Sequence, residues 1–391
     1  MSQYYPIPQP TIANNILIRR ERRLPVPGEV LVKAGQRVEP SDIIAQSTIA
    51  SEPVRVDIAS ALEMSPGAAA RRLLVSPGAE VAQGDVLAQR GGTGSRSARS
   101  PVAGVFAGYD LDSGTALINT PAEPVTVRAH LKGIVTDLVP YYGAIIETPA
   151  TLVRGIFGIG GEQHGVLKVG ASSGDEQLTP DMVDARFTYS IVLAGGELTL
   201  DTLYRLIEQG ARGVIAGSIR SSELQRFLGM SGTHSWALGA ATGESAGWDF
   251  PPPVPGMAPQ VPPDFVVIIT EGFGSVPMTP RTFELIAAYD GQEIAIDGTT
   301  RLRGSLARPE VLIPLARTTA VRFLEEKGPT VEVGTNVRLL SPSYLGQMAQ
   351  VTGLPRGPRT VQSGVVAPVA DVQLFTGQKL RVPLLDLEVL E

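Results

Sequence analysis

Hydrophobic residues in the middle of the chain alternate between short continuous runs and runs with helical spacing. The continuous runs, typical of buried strands in a parallel sheet, are residues 189–195, 213–219 and 265–270. Each is followed by a segment whose apolar residues recur three or four positions apart, which predicts an amphipathic helix. These three units predict a three-layer α/β core with parallel strands, right-handed crossovers and covering helices. Further runs expected to extend or edge the sheet are residues 292–297, 300–305 and 310–315.

Start signals precede the three predicted helices. Thr199 is a candidate N-cap for the first helix. Ser222 and Gln225 have the spacing of a capping box in the second. Thr279 and Pro280 combine a cap with a first-turn proline in the third.

An internal repeat precedes this core. Residues 31–46 and 74–89 align without gaps and are identical at seven of sixteen positions. The pattern predicts a strand, a glycine turn, a short strand, a second turn and another strand. A weaker pair, residues 104–118 and 133–147, predicts two further hairpins, and repeated hairpins of this kind build a small barrel or sandwich.

The second repeat also carries a family resemblance. The sequence reads VSPGAEVAQGDVLAQ from residue 75 and SPVAGVFAG from residue 100. This resembles the biotinyl/lipoyl-like barrel-sandwich hybrid, and the resemblance covers about residues 24–120. Carrier domains of that family present a modifiable lysine on the hairpin that corresponds to residues 90–100, which contain no lysine. The closest likeness is therefore to the lysine-free hybrid domain in peripheral subunits of Rnf-type and sodium-translocating quinone reductases.

The end of the chain has the alternation of short strands. Residues 337–351 resemble the KOW motif of small SH3-like barrels, with Tyr344, Gly346 and Val351 at matching positions. KOW modules bind RNA, ribosomes or protein partners. Residues 331–391 contain five basic and five acidic side chains, and this balance favours a protein-contact or structural role over RNA binding.

Together these patterns predict a multidomain α+β protein. The expected parts are an extended arm (1–23), an all-β barrel-sandwich-hybrid-like domain (24–150), an α/β core (151–330) and a KOW/SH3-like barrel (331–391). The core carries a long insertion at residues 231–264, which has no clear periodicity.

Composition excludes several chemistries. The chain has no cysteine, which rules out disulfides, thiolate zinc sites, iron–sulfur clusters and cysteine nucleophiles. Its three histidines are far apart in sequence, so a histidine-based metal centre is not expected, and neither is a cofactor. A net charge of −6 argues against electrostatic binding of nucleic acid by the protein as a whole. The basic run at residues 19–23 is interpreted as a solvated charge run. No apolar run is long enough to span a bilayer, and a cytoplasmic location is expected.

A cluster of glycines at residues 152–169 invites comparison with phosphate-binding loops. Neither G-x-G-x-x-G nor G-x-x-x-x-G-K-[ST] is present, and a strand-like run follows instead of a helix start. The interpretation is a bulged hairpin.

Ligands of open α/β sheets bind beyond the carboxyl ends of the strands. The candidate ligand-binding residues at those ends are Gly195, Gly196, Ser218, Glu271, Gly272 and Gly274. No histidine, lysine or second carboxylate in the same loops pairs with Glu271, and Ser218 lacks a nucleophile-elbow frame, so no catalytic residue is named.

Three functions stay open. The leading hypothesis is a non-catalytic interaction or scaffold protein, with a protein partner or self-association. The second is a protein, possibly an enzyme, that binds a nucleotide or anionic small molecule at the strand ends. The third is an accessory factor of transcription or translation that acts through the KOW-like barrel.

Overall fold

A computed structural model describes residues 11–49, 51–91, 96–228, 264–300, 307–315, 330–341, 344–361 and 364–390. Most of the predicted insertion at residues 231–264, nearly all of the run at 300–305 and part of the hairpin at 90–100 lie outside the described residues. The described chain is mostly β, and its strands form several sheets.

The N-terminal half consists of strands with two short helices. Its strands are β1 (Ile12–Arg23), β2 (Glu29–Val30), β3 (Arg37–Val38), β4 (Ile43–Ile49), β5 (Val54–Asp57), β6 (Glu80–Val81), β7 (Val86–Arg90), β8 (Arg96–Arg99), β9 (Gly104–Asp110), β10 (Thr115–Asn119), β11 (Glu123–Arg128), β12 (Gly133–Val139) and β13 (Gly143–Arg154). Its helices are α1 (Ile58–Leu62) and α2 (Pro66–Ala70). β7 pairs with β8, and small sheets form in the orders β5-β10-β9-β6 and β11-β4-β2.

The sequence repeat is also a structural repeat. β3 and β4 begin 43 residues before β6 and β7, which is the offset of the two sequence copies. Gly35 and Gly78 turn the chain with φ values of +82° and +88°, a region that suits glycine. Asp42 and Asp85 each accept a hydrogen bond at 2.8 Å from the backbone amide three residues earlier. The predicted repeat is therefore confirmed, as are the β9–β10 and β12–β13 hairpins.

The central stretch, which we call the α/β core, combines strands with helices. Its strands are β14 (Phe157–Ile159), β15 (Glu162–Val169), β16 (Ser190–Leu198), β17 (Gly213–Ile219), β18 (Val266–Phe273), β19 (Glu293–Asp297) and β20 (Glu310–Pro314). Its helices are α3 (Leu200–Glu208), α4 (Ser221–Phe227) and α5 (Pro280–Ala287). β15, β16, β17 and β18 pair in parallel, which confirms the parallel arrangement of the three predicted strands.

Alternate residues of these strands face opposite layers, as the two-residue period of a strand requires. One core contains Val192, Val214 and Val267 of the strands with Leu203 of α3 and Phe227 of α4. The other contains Ile191, Ile215 and Ile268 of the strands with Phe283 and Ile286 of α5. Helices thus cover both faces of the parallel strands.

The helix starts are partly as predicted. The Thr199 side chain accepts a hydrogen bond from the Thr202 amide and caps α3. α5 begins at Pro280 after Thr279, as expected. The predicted Ser222 cap is wrong, because α4 already begins at Ser221 after Arg220.

One large sheet joins the N-terminal half to the core. Its order is β14-β18-β17-β16-β15-β19-β20-β13-β12-β3, with β1 paired to β13. The expected domain boundary at residue 150 falls inside β13, and the expected arm contributes the twelve-residue strand β1. The basic run at residues 19–23 is ion-paired along β1. Its pairs are Arg19–Asp137, Arg19–Glu147, Arg20–Glu310, Arg22–Glu162 and Arg23–Glu21.

The glycine-rich stretch after β13 does not form the predicted hairpin. β14 pairs with β18, whereas β15 pairs with β16 and β19, so the two strands lie at different places in the sheet. The hairpin interpretation is therefore wrong. The glycines permit close approach of backbones: a Cβ on Gly158 would lie 2.6 Å from the carbonyl oxygen of Gly298.

The C-terminal part forms a separate small sheet with its own apolar core. Its strands are β21 (Asn336–Leu339), β22 (Met348–Gly353), β23 (Arg359–Thr360), β24 (Val366–Ala367), β25 (Val369–Leu374), β26 (Lys379–Pro383) and β27 (Leu387–Val389). Five of them follow the order β26-β25-β22-β21-β27, with every neighbouring pair antiparallel. We call residues 330–390 the C-terminal unit. Its Leu340 and Leu345 join the core beneath α3 and α4, so the unit packs against the α/β core.

Candidate functional site

The predicted site residues lie together at one edge of the parallel strands. Gly195 of β16 pairs with Ala216 of β17, and Ser218 of β17 pairs with Gly272 of β18. Glu271 precedes Gly272 on β18. The sheet therefore brings these residues to its carboxyl edge, as the topology predicts.

Two of the three strand ends are covered by neighbouring segments of the same chain. Gly195 is left-handed (φ +75°), and a Cβ there would lie 2.5 Å from the carbonyl oxygen of Glu176. The Gly196 amide donates to that oxygen at 2.8 Å. Ser218 is fully buried, and its hydroxyl oxygen accepts a hydrogen bond from the Val276 amide at 2.9 Å. These glycines and this serine therefore serve tight turns, and ligand binding at them stays a prediction.

The third strand end meets the C-terminal unit. A Cβ on Gly272 would lie 3.2 Å from the Cα of Gly346, a residue of the turn that precedes β22. Gly346 has a φ of +80°, a conformation that glycine adopts without steric cost. Gly274 follows β18, and apart from its chain neighbours no atom of the described residues lies within 4 Å of the position that its Cβ would occupy.

Glu271 is held by a buried cation. Its carboxylate forms an ion pair with Arg338 of β21 and accepts a hydrogen bond from the Thr279 amide at 3.1 Å. Both side chains are almost fully buried. Because the carboxylate is engaged on both oxygens, it is a structural anchor in this arrangement rather than a free acid or base.

The pair belongs to a larger group of buried charges. Arg338 also donates to Glu388 of β27 at 3.0 Å, and Arg308 donates to the other oxygen of Glu388 at 2.6 Å. Thr11 donates to Glu388 as well. We call Glu271, Arg308, Arg338 and Glu388 the charge network. Burial opposes the ionisation of Glu388, but Arg308 and Arg338 outweigh it and hold the pKa of this carboxyl below its ordinary value.

The network combines two positive and two negative groups, so its formal charge is zero. Removing charges from water is expensive, and close pairing only offsets that cost. Such groups constrain geometry, because another docking angle of the C-terminal unit would leave buried charges unpaired. The network therefore links the two parts, because Arg338 and Glu388 belong to the C-terminal unit and Glu271 and Arg308 to the α/β core.

A pocket of about 220 Å³ adjoins the network. Its lining consists of Thr11, Ile12, Glu271, Thr279, Arg281, Thr282, Arg338, Met348, Val389 and Leu390. The pocket lies where β1, the start of α5 and the C-terminal unit meet. Of the six predicted site residues, Glu271 lines it.

Sequence reasoning missed the partners of Glu271. Arg338 and Glu388 lie 67 and 117 positions after it, so no local pattern joins the three residues. A signal was present nonetheless: Arg338 stands in the apolar run VRLL and Glu388 in LEVL, and a charge inside an apolar strand indicates a buried partner.

Two of the three histidines also meet, at the junction of the N-terminal half and the core. The ring centroids of His130 and His164 lie 6.2 Å apart, and the Nδ1 atom of each ring is buried without a partner among the described residues. Burial lowers the pKa of both imidazoles. The charged groups that act on the pair are Arg22, Arg128, Glu162, Arg212 and Glu293. Within the described ranges, no cluster of three or more histidine, aspartate or glutamate side chains could hold a metal ion.

Comparison with known proteins adds no identification. No protein-family model matches the chain, and no curated protein sequence matches it either. Among the helices that the structure describes, none is both long and apolar enough to cross a membrane.

Proposed function

We propose that the chain is a non-catalytic interaction or scaffold protein. The observation that carries this proposal is the conformation of Tyr141 and Tyr189. Their relative exposures are 72% and 70%, and their φ values are +66° and +58°. A bulky residue in the left-handed region is a backbone outlier, and such strain concentrates at functional positions.

Exposed aromatic side chains are the residues that most often anchor protein partners. Glycine would fill both turns without strain, yet tyrosine stands at each. Tyr141 lies in the β12–β13 turn and Tyr189 directly before β16. We infer that the two rings are contact points for a protein partner or a second copy of the chain.

The buried state of Glu271 supports a role without catalysis. Its carboxylate is engaged by Arg338 and by the start of α5, so both of its oxygens already accept hydrogen bonds. In this proposal the charge network holds the C-terminal unit and the α/β core in one relative orientation, as a scaffold requires.

The finer fold assignments belong to the same proposal. The 43-residue repeat supports a lysine-free barrel-sandwich hybrid in the N-terminal half. The five antiparallel strands and the turn at Gly346 support an SH3-like barrel in the C-terminal unit. Arg338, one of the few basic residues of the unit, is buried in ion pairs with Glu271 and Glu388 and is not exposed to a phosphate backbone. This favours a protein partner over RNA. The absence of cysteine fits a reducing compartment such as the cytoplasm.

The test separates strain from function. Tyr141→Gly and Tyr189→Gly each relieve about 1–2 kcal/mol of left-handed backbone energy, against about 0.5–1 kcal/mol lost to the flexibility of glycine in the unfolded chain. The matched control is Phe375→Gly, because Phe375 is 71% exposed and has no left-handed backbone. Urea unfolding should show the tyrosine variants as stable as the wild type or more so, and the control as less stable.

The same variants measure the interaction. Tagged protein is cross-linked in its native host, and captured proteins are quantified by mass spectrometry, with light scattering for self-association. We expect the tyrosine variants to lose a partner or self-association that the Phe375→Gly control keeps. Unchanged association of both tyrosine variants would contradict the proposal, however stable they prove.

A further inference from the structure

The structural repeat extends beyond the two sequence copies and includes a third strand in each. In the first copy, β4 lies between β2 and β11. In the second copy, Ala88 of β7 pairs with Leu73 on one side and with Ala98 of β8 on the other. Leu73 and Ala88 lie 43 positions after Val30 and Ala45, which pair in the same way in the first copy. Residues at equivalent places in the two copies can therefore be compared directly.

One arginine is common to both copies. Arg99 of β8 donates to the carbonyl oxygen of Gly84 at 2.8 Å, and Arg128 of β11 donates to that of Ser41 at 2.7 Å. Gly84 lies 43 positions after Ser41, so the two arginines make the same contact. We therefore attribute Arg99 to the architecture that the copies share.

Four other arginines belong to the second copy alone, and we call them the arginine cluster. Its members are Arg71, Arg72, Arg90 and Arg96, and the first copy has Gly28, Glu29, Ser47 and Val125 at the equivalent places. Because the first copy forms the same three strands without arginines at these places, the strands of the repeat do not depend on the cluster. A role other than folding is therefore expected of it.

The cluster lies around the ends of α1 and α2, and all four arginines are exposed. Arg90 and Arg96 stand directly opposite each other on β7 and β8, and like charges in such a pair are destabilising. Arg96 forms an ion pair with Glu63 at 2.7 Å. Arg71 and Arg72, directly after α2, form no ion pair or side-chain hydrogen bond within the described part of the chain. The cluster therefore keeps an excess of exposed positive charge.

The charge of the rest of the chain restricts which anionic partner fits. The net charge is −6, so the chain outside the cluster is more acidic still. A nucleic-acid duplex or an anionic membrane extends beyond the cluster and would be repelled by that acidic surface, over about 10 Å at ordinary ionic strength. The segments that carry the cluster, residues 71–74 and 86–99, contain no aromatic residue on which an unpaired base could stack. A short acidic peptide segment can confine its charges to the cluster, and guanidinium groups bind carboxylates through paired hydrogen bonds.

From this comparison we infer that the arginine cluster binds an acidic segment of a partner protein. The inference goes beyond the scaffold proposal, which rests on Tyr141 and Tyr189. Neither tyrosine lies in the second copy, so the two contact surfaces can be tested separately.

The test uses the full chain and a fluorescent decaglutamate peptide, followed by fluorescence anisotropy at low salt. Decaglutamate should bind saturably, and added sodium chloride should weaken the binding because salt screens exposed charges. Decauridylate and phosphatidylserine vesicles represent nucleic acid and membrane, and both should bind more weakly than decaglutamate. Tyr141→Gly and Tyr189→Gly should bind decaglutamate as the wild type does, so failure of the scaffold proposal can be told apart from failure of this one.

Two variants locate the binding. Arg71→Gln combined with Arg72→Gln should weaken decaglutamate binding about fivefold, because each exposed ion pair contributes little. Arg72→Glu introduces the residue type that the first copy has at this place, so the fold should be kept while binding weakens further. The matched control combines Arg356→Gln with Arg359→Gln, which changes the net charge equally at two exposed arginines of the C-terminal unit and should leave binding unchanged.

Three results would each overturn the inference. The first is the absence of saturable decaglutamate binding to the wild type. The second is tighter binding of decauridylate or of the vesicles, which would assign the cluster to nucleic acid or to a membrane. The third is equal affinity of the Arg71→Gln and Arg72→Gln double variant and its control, which would place the peptide elsewhere.

Discussion

Replacement of Arg338 by methionine tests the charge network directly. The substitution keeps an unbranched side chain of similar length but removes the cation between Glu271 and Glu388, which lies within 3.0 Å of the Glu388 carboxylate. Glu271 then loses its buried counter-charge, whereas Glu388 keeps Arg308 at 2.6 Å. Removing one partner of a buried ion pair costs about 3–5 kcal/mol, because the other charge stays buried without compensation.

The matched control lies in the same unit. Arg381 forms a 2.7 Å ion pair with Asp371, but its side chain is 48% exposed. Exposed pairs of this kind contribute about 0–1 kcal/mol. Urea unfolding of the full chain at neutral pH, followed by circular dichroism, should therefore show a large loss of stability in Arg338→Met and a small one in Arg381→Met.

A double variant separates lost charge from lost packing. Glu271→Leu combined with Arg338→Met removes one positive and one negative group and leaves the Arg308–Glu388 pair intact. Replacing a whole buried pair by apolar groups is often neutral, so the double variant should be more stable than Arg338→Met alone. If Arg338→Met costs no more than Arg381→Met, or the double variant is less stable than the single one, buried charge balance does not stabilise this junction.

The buried histidine pair and the turn at Gly346 can each be tested by one substitution. Burial lowers the pKa of both His130 and His164 in the folded chain, so the unfolded chain is protonated at a higher pH than the folded one. The contribution of the two neutral imidazoles to the free energy of unfolding is therefore fully present above the ordinary histidine pKa of 6.5 and decreases as the pH falls below it. Urea midpoints measured from pH 8 to 5 should fall, and His130→Gln should flatten the fall; a slope unchanged by the variant would contradict this. Gly346→Ala should destabilise the chain by about 1–3 kcal/mol more than Gly357→Ala, because both have φ near +80° but only at Gly346 would the new Cβ meet another backbone, that of Gly272 at 3.1 Å. Equal losses in thermal unfolding would assign the whole effect to the backbone angle.

Local patterns predicted much of the fold. The runs at β16, β17 and β18 are apolar on both faces, which only a sheet covered on both sides explains, and their glycine-bearing ends mark the turns into helices. The repeat was readable because Gly35 and Gly78, with Asp42 and Asp85, set the same turns in each copy. The conformation of a turn depends on a few neighbouring residues, so it can be predicted from the sequence alone.

Long-range pairing was not readable in the same way. Nothing local in residues 152–169 says that β14 pairs with β18, more than a hundred positions later, so a hairpin between neighbours was the natural expectation. The joining of β1, β12 and β13 to the core in one sheet could not be predicted for the same reason. These pairings are decided by which apolar faces can be buried together, a property of the whole chain.

The candidate site shows which of its features could be predicted from the sequence and which could not. Topology alone placed Glu271 at the carboxyl edge of the parallel strands, and the structure places it there, beside a pocket. What the carboxylate does depends on Arg338, which comes from a distant part of the sequence and makes this candidate ligand-binding residue half of a buried ion pair. Arg338 uses its two terminal nitrogens on the carboxylates of Glu271 and Glu388, and its Nε is buried without a partner in the described structure. An acidic residue at a strand end thus marks a position worth testing, but its role follows from the residues that neutralise its charge, and these come from distant parts of the sequence.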